Sequence, residues 1–234
     1  MTRRQAGGGL GGLMLGIALV SSVSLAAETE VVLGPSRAFG PGNACAIRVD
    51  RRTGEPHVVW EDREGRLLHS HCSGGTWSEP ARVGDANDVG AIATHRAGAV
   101  AMEIDPAGRV HVVYIAGNAI HHVHQDGDGW SEPALIYDGG DRGLCWPSLA
   151  GTSRGELYLI FEMGHNTRRC HFDGATWSAP VRVDTTNVAS HAWDIKVGPD
   201  DRPHVVFQAR TGENSEAYYA TIEGGEWRVT RVTE

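Results

Sequence analysis

One phrase comes back again and again along the 234-residue chain, and it limits the fold more than any other feature. Gly74-Gly75-Thr76-Trp77-Ser78-Glu79-Pro80 returns as Gly127-Asp128-Gly129-Trp130-Ser131-Glu132-Pro133. It returns again as Gly174-Ala175-Thr176-Trp177-Ser178-Ala179-Pro180, and a worn copy runs from Gly224-Gly225-Glu226-Trp227 to Val232. The Trp spacings are 53, 47 and 50. A second phrase precedes each Trp: His57-Val58-Val59-Trp60, His111-Val112-Val113-Tyr114, Tyr158-Leu159-Ile160-Phe161 and His204-Val205-Val206-Phe207. Self-similarity at about 50 residues defines an array in which each unit buries its faces only against its neighbours, so the repeated Trp77, Trp130 and Trp177 and the Val-Val positions read as buried core between units.

Within a unit the pattern is strand, turn, strand. In the second unit Val100–Ile104 is followed by a turn at Asp105-Pro106-Ala107-Gly108, then Val110–Ile115, a loop at Ala116-Gly117-Asn118, Ile120–His124, a Gly-rich hairpin, and Trp130–Ile136. The runs are short, β-branched or aromatic, and bounded by Gly, Pro, Asp and Asn. No stretch beyond residue 26 carries an apolar period of 3.6 long enough for a helix. Four short antiparallel strands per repeat make a propeller blade. The expected fold is all-β: a β-propeller of about four four-stranded blades plus one extra N-terminal strand, Thr29–Gly34. The last unit already ends in its own fourth strand. The extra strand is therefore spare, or the four blades belong to a larger ring, completed by further sequence or another subunit.

Residues 1–26 read as a signal peptide. Arg3 and Arg4 precede an apolar run from Leu10 to Leu25, and Ser24-Leu25-Ala26 supplies the small residues of a cleavage site. The run falls short of the ~20 apolar residues of a membrane span. Residues 27–234 form the propeller domain, and the expected location is secreted, periplasmic or extracellular, with no membrane span in the mature chain. The formal charge is −8, with Lys196 the one lysine, which excludes a general nucleic-acid binder. The hydrophobic fraction of 41% is enough for a core.

The Trp hairpins resemble the Asp-box of the sialidase-like, BNR-repeat β-propellers, a Ser-x-Asp-x-Gly-x-Thr-Trp turn. Phe172-Asp173-Gly174-Ala175-Thr176-Trp177 is the best copy, Asp126-Gly127-Asp128-Gly129-Trp130 a weaker one, and Ser73-Gly74-Gly75-Thr76-Trp77 lacks the Asp. The resemblance covers about residues 29–234. It implies a structural role for the hairpin, distant from any active site. The Arg-Ile-Pro motif of sialidases is absent from the sequence.

Histidines invite a metal reading: His69 and His71 stand two apart, as do His122 and His124, which puts each pair on one strand face. They recur at matching places in successive units, however, and so should be spread around a ring. No metal and no cofactor are expected. Cys45 and Cys145 fall in first strands, Cys72 and Cys170 in third strands. Strands two spacings apart lie roughly 9–10 Å from each other, too far for a disulfide, so buried free thiols are expected.

Residues that break the repeat are the better ligand candidates, because they gather in the loops of one propeller face. Two loop sets contribute: Arg37, Asp85, Asp88, His95, Arg96, Asp138, Asp141, Arg142, Asn187 and His191 from the first, and Asp62, Arg63, Glu64, Asn118, Glu162, His165, Arg210 and Glu213 from the second. Convergent Arg37, Arg96 and Arg142 would clamp a carboxylate such as that of an acidic sugar. Trp146 and Trp193 hold matching early positions in first strands, where an exposed ring can stack on a sugar. Three functions follow: a noncatalytic module binding glycan or another extracellular ligand; a sialidase-like glycosidase or other polysaccharide-acting enzyme; or an assembly module of a larger propeller, self-associating through open blade edges.

Overall fold

A computed structural model describes residues 45–233, except 63, 88, 90–97 and 185–188. The described residues form four antiparallel sheets in sequence order and contain no helix. The first blade holds β1 (Cys45–Val49), β2 (Pro56–Glu61), β3 (Leu67–Ser73), β4 (Thr76–Trp77) and β5 (Ala81–Arg82). The second holds β6 (Val100–Ile104), β7 (Val110–Ala116), β8 (Ala119–Asp126), β9 (Gly129–Trp130) and β10 (Ala134–Asp138). The third holds β11 (Leu144–Gly151), β12 (Leu157–Met163), β13 (Thr167–Phe172) and β14 (Val181–Arg182). The fourth holds β15 (Ser190–Val197), β16 (Pro203–Thr211), β17 (Asn214–Glu223) and β18 (Glu226–Arg231). The short pieces β4 and β5, and likewise β9 and β10, are one outer strand broken in two, since both pieces pair the same third strand.

The Trp-Ser-x-Pro phrase causes that break. The Ser78, Ser131 and Ser178 hydroxyls each accept from a third-strand amide, those of His71, His124 and His171, at 3.0–3.2 Å. Each serine amide donates back to the same residue's carbonyl at 2.8 Å. The Pro two residues on has no N–H to give a ladder, so pairing lapses there and resumes beyond it. The worn fourth copy has Arg228 in place of the Ser, and β18 runs unbroken. In the best Asp-box-like turn, Asp173 Oδ1 accepts from the amides of Ala175 and Thr176 at 2.9 and 2.8 Å, a structural use of the carboxylate.

The inner strands pack in the series β1, β6, β11, β15, as they must if blades radiate from an axis. Val59, Val113 and Ile160 are fully buried at one repeat position, and Met102, Leu149 and Ile195 at another. Their counterparts at the two ends of the series are not: Ile47 is 57% exposed and Val206 42%. Both residues point toward a neighbouring blade in the repeat pattern, and the described residues put none there. The spare strand expected at Thr29–Gly34 lies outside the described residues.

A side-chain seam joins each blade to the next. It takes one residue from the second strand, one from the third, and the Trp of the following blade. Trp177 Nε1–H donates to His122 Nδ1 at 3.2 Å. An indole nitrogen only donates, so His122 carries its proton on Nε2 and gives it to His111 Nδ1 at 3.0 Å. The His111 proton then sits on Nε2, facing Asp105 Oδ2 at 3.4 Å. The first seam sets His57 Nδ1 3.0 Å from His69 Nε2, with Trp130 edge-on to His69. In the third, Arg169 lies over Tyr158 and Trp227. The fourth blade has the pair, His204 Nδ1 2.6 Å from Tyr219 Oη, without a following Trp among the described residues.

These seams correct three sequence expectations. The histidines do not stay apart: those of one blade meet across its second and third strands, and His111, His122 and His124 each bring a ring nitrogen within 4.8 Å of the others. The lone pairs on His111 Nδ1 and His122 Nδ1 already accept hydrogen bonds, which makes this cluster packing. The repeated Trp77, Trp130 and Trp177 are half-buried rather than buried, because the outer strand meets solvent. All four cysteines are free; Cys145 and Cys170 are buried as expected, but Cys45 is exposed, since among the described residues no blade precedes β1.

Candidate functional site

A pocket of about 410 Å³ opens where the third and fourth blades meet, lined by Trp146, His191, Ala192, Trp193 and Gln208. Two interruptions of the repeat build it. The register of β11 on β12 slips between Cys145 and Ser148, and that of β15 on β16 slips between Ala192 and Asp194. The inner strands β1 and β6 keep a continuous register. A bulge adds a residue that cannot share the regular alternation of faces, and so re-aims a side chain. Trp146, with Pro147 after it, stands in the first irregularity and Trp193 in the second. Trp146 has φ +51, left-handed and uncommon for a bulky side chain. Its ring stands edge-on to His191 at 5.5 Å, while Trp193 is 64% exposed.

Behind His191 lies a buried carboxylate. Glu162, at the end of β12, is paired across the sheet with Cys145. Its Oε2 accepts a hydrogen bond from His191 Nδ1 at 2.7 Å, and its Oε1 faces His165 Nδ1 at 3.2 Å. The Cys145 thiol hydrogen-bonds to the same carboxylate; burial foremost, then the Glu162 charge and that bond, push the thiol up to about 12. His165 sits in a Gly-His hairpin turn at φ +62, and the matching turn of the second blade has Asn118 at φ 63.

A buried polar network fixes the strand that carries His191. The Ser190 hydroxyl donates to Asp184 Oδ2 at 2.6 Å and bonds the Thr167 hydroxyl at 3.0 Å. Arg182 Nε donates to Asp184 Oδ1 at 2.7 Å, and the Ser190 amide to the His165 carbonyl at 2.8 Å. The start of β15 is thereby tied to β13 and to the His165 turn, so both rings approach Glu162 from anchored backbone.

Of the sequence candidates, Trp146, His191 and Trp193 come together here. Arg37, His95 and Arg96 lie outside the described residues, and with them the three-Arg clamp. Arg142 and Asp141 are exposed in the loop leading to β11, where the Arg142 carbonyl accepts from Asn118 Nδ2. Arg210 is exposed near the end of β16. Gln208 was not singled out from sequence. Its signal was its phase: it directly follows the His-Val-Val-Phe phrase, where the third unit has Glu162 and the first Glu61.

Bladed antiparallel sheets arranged in series, with apolar faces shared between blades, define a β-propeller. Solved structures agree on the fold. A point mutant of the Aleuria aurantia lectin in complex with α-methyl-L-fucoside matches with TM-score 0.58 at 15% identity, over 83% of this chain and 63% of the lectin. Another structure of that lectin is described as a six-bladed β-propeller. The α-L-arabinofuranosidase PaAbf62A from Podospora anserina, in complex with cellotriose, matches with TM-score 0.50 at 14% identity, over 84% of this chain and 70% of the enzyme. A polysaccharide lyase, an ulvan lyase, matches with TM-score 0.50 at 14% identity, over 81% of this chain and 72% of the lyase. The chain thus spans less than two thirds of the fucose lectin's length. No protein-family model matches the sequence, and no curated protein does. Among the described residues no helix is long and apolar enough to cross a membrane.

Proposed function

We propose that this chain is a secreted, noncatalytic glycan-binding propeller module, and that the pocket between its third and fourth blades receives a sugar. The observation that carries this is the pair of bulge-borne indoles, Trp146 and Trp193, in one pocket with the polar groups of His191 and Gln208. A sugar ring offers C–H faces to an aromatic surface and hydroxyls to a few fixed polar groups, and the lining supplies both. The similar folds of a fucose lectin and two glycan-acting enzymes support the glycan class. The hydrolytic alternative needs two placed carboxylates. The described lining residues include none, and Glu162 stands behind His191 with its oxygens engaged. Export rests on residues 1–26, and kinship with the sialidase-like repeats on the Asp-box-like hairpins.

Calorimetry of the full chain against α-methyl-L-fucoside, followed by a glycan array with neutral and acidic sugars, tests the reading. Trp193→Ala should weaken binding by about tenfold or more, the worth of one aromatic contact. Its melting temperature should stay within a degree or two, since an exposed surface substitution shifts stability by about 0.5 kcal/mol or less. Binding unchanged in Trp193→Ala would remove the pocket from the reading.

Exposed Ile47 and Val206, at positions buried elsewhere in the series, favour a second reading: the blades form part of a larger ring whose open faces other blades cover. Self-association of the chain would do this and would appear as a multiple of the monomer mass in light scattering. Val206→Glu should dissociate such an assembly. A monomer at every concentration would exclude self-association.

A further inference from the structure

We propose that Glu162, His165 and His191 bind a divalent first-row transition-metal ion beside the tryptophan pocket, a site the glycan reading does not require. One ligand atom from each residue lies within 4.8 Å of the other two. The two carboxylate oxygens each face a different imidazole, at 2.7 Å and 3.2 Å. Ligand atoms around a four-coordinate ion with bonds of 2.0–2.1 Å stand about 3.3 Å apart. Loading therefore needs shifts of well under a side-chain rotamer. Two imidazoles and one carboxylate suit Zn²⁺, Co²⁺ or Ni²⁺, whereas Ca²⁺ and Mg²⁺ prefer oxygen-only sets.

The surroundings are those of a built site. Glu162 is 3% exposed and held by the Cys145 thiol, so its carboxylate cannot swing away into water. The Asp184–Ser190–Thr167 network anchors the backbone before His191. His165 occupies a left-handed position that Asn takes in the second blade, a conformation strained for His, and what it gains is a ring against Glu162. His165 is 64% exposed and His191 32%, which leaves a path for the ion. Binding requires each ring to present a bare Nδ1 to the ion with its proton on Nε2, so that the nitrogen that now donates to Glu162 becomes a ligand. Three protein ligands leave at least one coordination position for water. The His111, His122 and His124 cluster differs in the decisive respect: its Nδ1 lone pairs are engaged by His122 and Trp177, and freeing them breaks an inter-blade seam.

The test uses tag-free, chelator-stripped full-length chain. Titration with Co²⁺, read by its visible d–d bands, and competition with Zn²⁺ should give one ion per chain. Glu162→Gln and His165→Asn should each lower the affinity by about 100-fold or more, at or beyond the upper end of what loss of an outer-shell partner costs. His124→Ala should leave it within about threefold. His165→Asn keeps the turn, as Asn118 shows in the second blade, so an unchanged melting curve separates ligand loss from misfolding. No Co²⁺ band in the wild type overturns the proposal. So does binding that survives His165→Asn within about tenfold, or that His124→Ala abolishes. Sugar binding is scored in separate experiments, and either result can fail without the other.

Discussion

Acidification from pH 6.5 to 4 is expected to remove several kcal/mol of stability, with an unfolding midpoint near pH 5. The groups responsible are the seam histidines. His69 and His111 are lowered to about 4 and His122 to about 3, in each case chiefly because burial disfavours the imidazolium. Neighbouring imidazoles push the same way: His57 and His71 on His69, His124 on His111, and His111 and His124 on His122. Asp105 opposes this for His111, through a hydrogen bond and its charge. In the unfolded chain these rings titrate near 6.5. Between that value and about 4 the unfolded state therefore binds protons that the folded state refuses, so stability rises with pH across this window. The contribution is complete above 6.5 and is lost as the pH falls toward the folded values. Each proton is worth about 1.4 kcal/mol per pH unit, so three rings give at most about 4 kcal/mol per unit. That is enough to exhaust an ordinary domain stability of about 5–15 kcal/mol. Carboxylates held low by arginines, such as Asp50 beside Arg52 and Glu156 beside Arg154, give up their contributions at lower pH and leave this window to the histidines. Urea melts at pH 5, 6, 7 and 8 check the slope. His122→Gln, which keeps an acceptor for Trp177, should flatten it by one proton. A free energy of unfolding that is level from pH 7 to 5 would mean that the seams are hydrated.

Blade architecture was legible because a blade is a local object. The turns that bound each strand lie within a few residues of it, and the expected run Val100–Ile104 is β6 residue for residue. What the repeat cannot express is a change of phase. Trp146 and Trp193 could be picked out as matching oddities at the starts of first strands. Their common pocket depends on two bulges, one in each blade, and a bulge shows only in the pairing of a strand with its neighbour. Glu162 and His165 were readable as loop-set polar residues. Their meeting with His191 depends on the angle between two blades, which no spacing within one unit encodes. The histidines misled in the opposite direction. Matching positions were expected to keep them apart, but two of the three positions fall on adjacent strands, facing each other across one ladder: His57 opposite His71, and His111 opposite His124.

Trp177→Ala should cost about 3 kcal/mol, at the lower end of the range for a large aromatic truncation because the ring is half-buried. Two losses combine. The ring leaves Phe172, 5.2 Å away, and His122, 5.4 Å away. His122 Nδ1 also loses its donor in a side chain only 3% exposed, and a buried acceptor without a partner costs about 1–3 kcal/mol. Trp177→Phe isolates the second loss and should cost about 1–2 kcal/mol. Trp77→Ala is the informative contrast. Trp77 holds the same position in the first blade, but among the described residues no blade precedes it to offer a second- and third-strand pair. In a chain whose first blade is an open end, Trp77→Ala should cost under about 1.5 kcal/mol, as a change at a weakly packed position does. Denaturant melts of both variants at low protein concentration give the intrinsic difference, and repeating them at high concentration tests whether it closes. If Trp77→Ala becomes as damaging as Trp177→Ala when the chains are concentrated, another blade has docked on the first, and the pair best placed to receive that Trp is His204 with Tyr219. If Trp177→Ala itself costs under about 1 kcal/mol, the indole-to-imidazole seam does not hold the blades together and the packing order of the series must be redrawn.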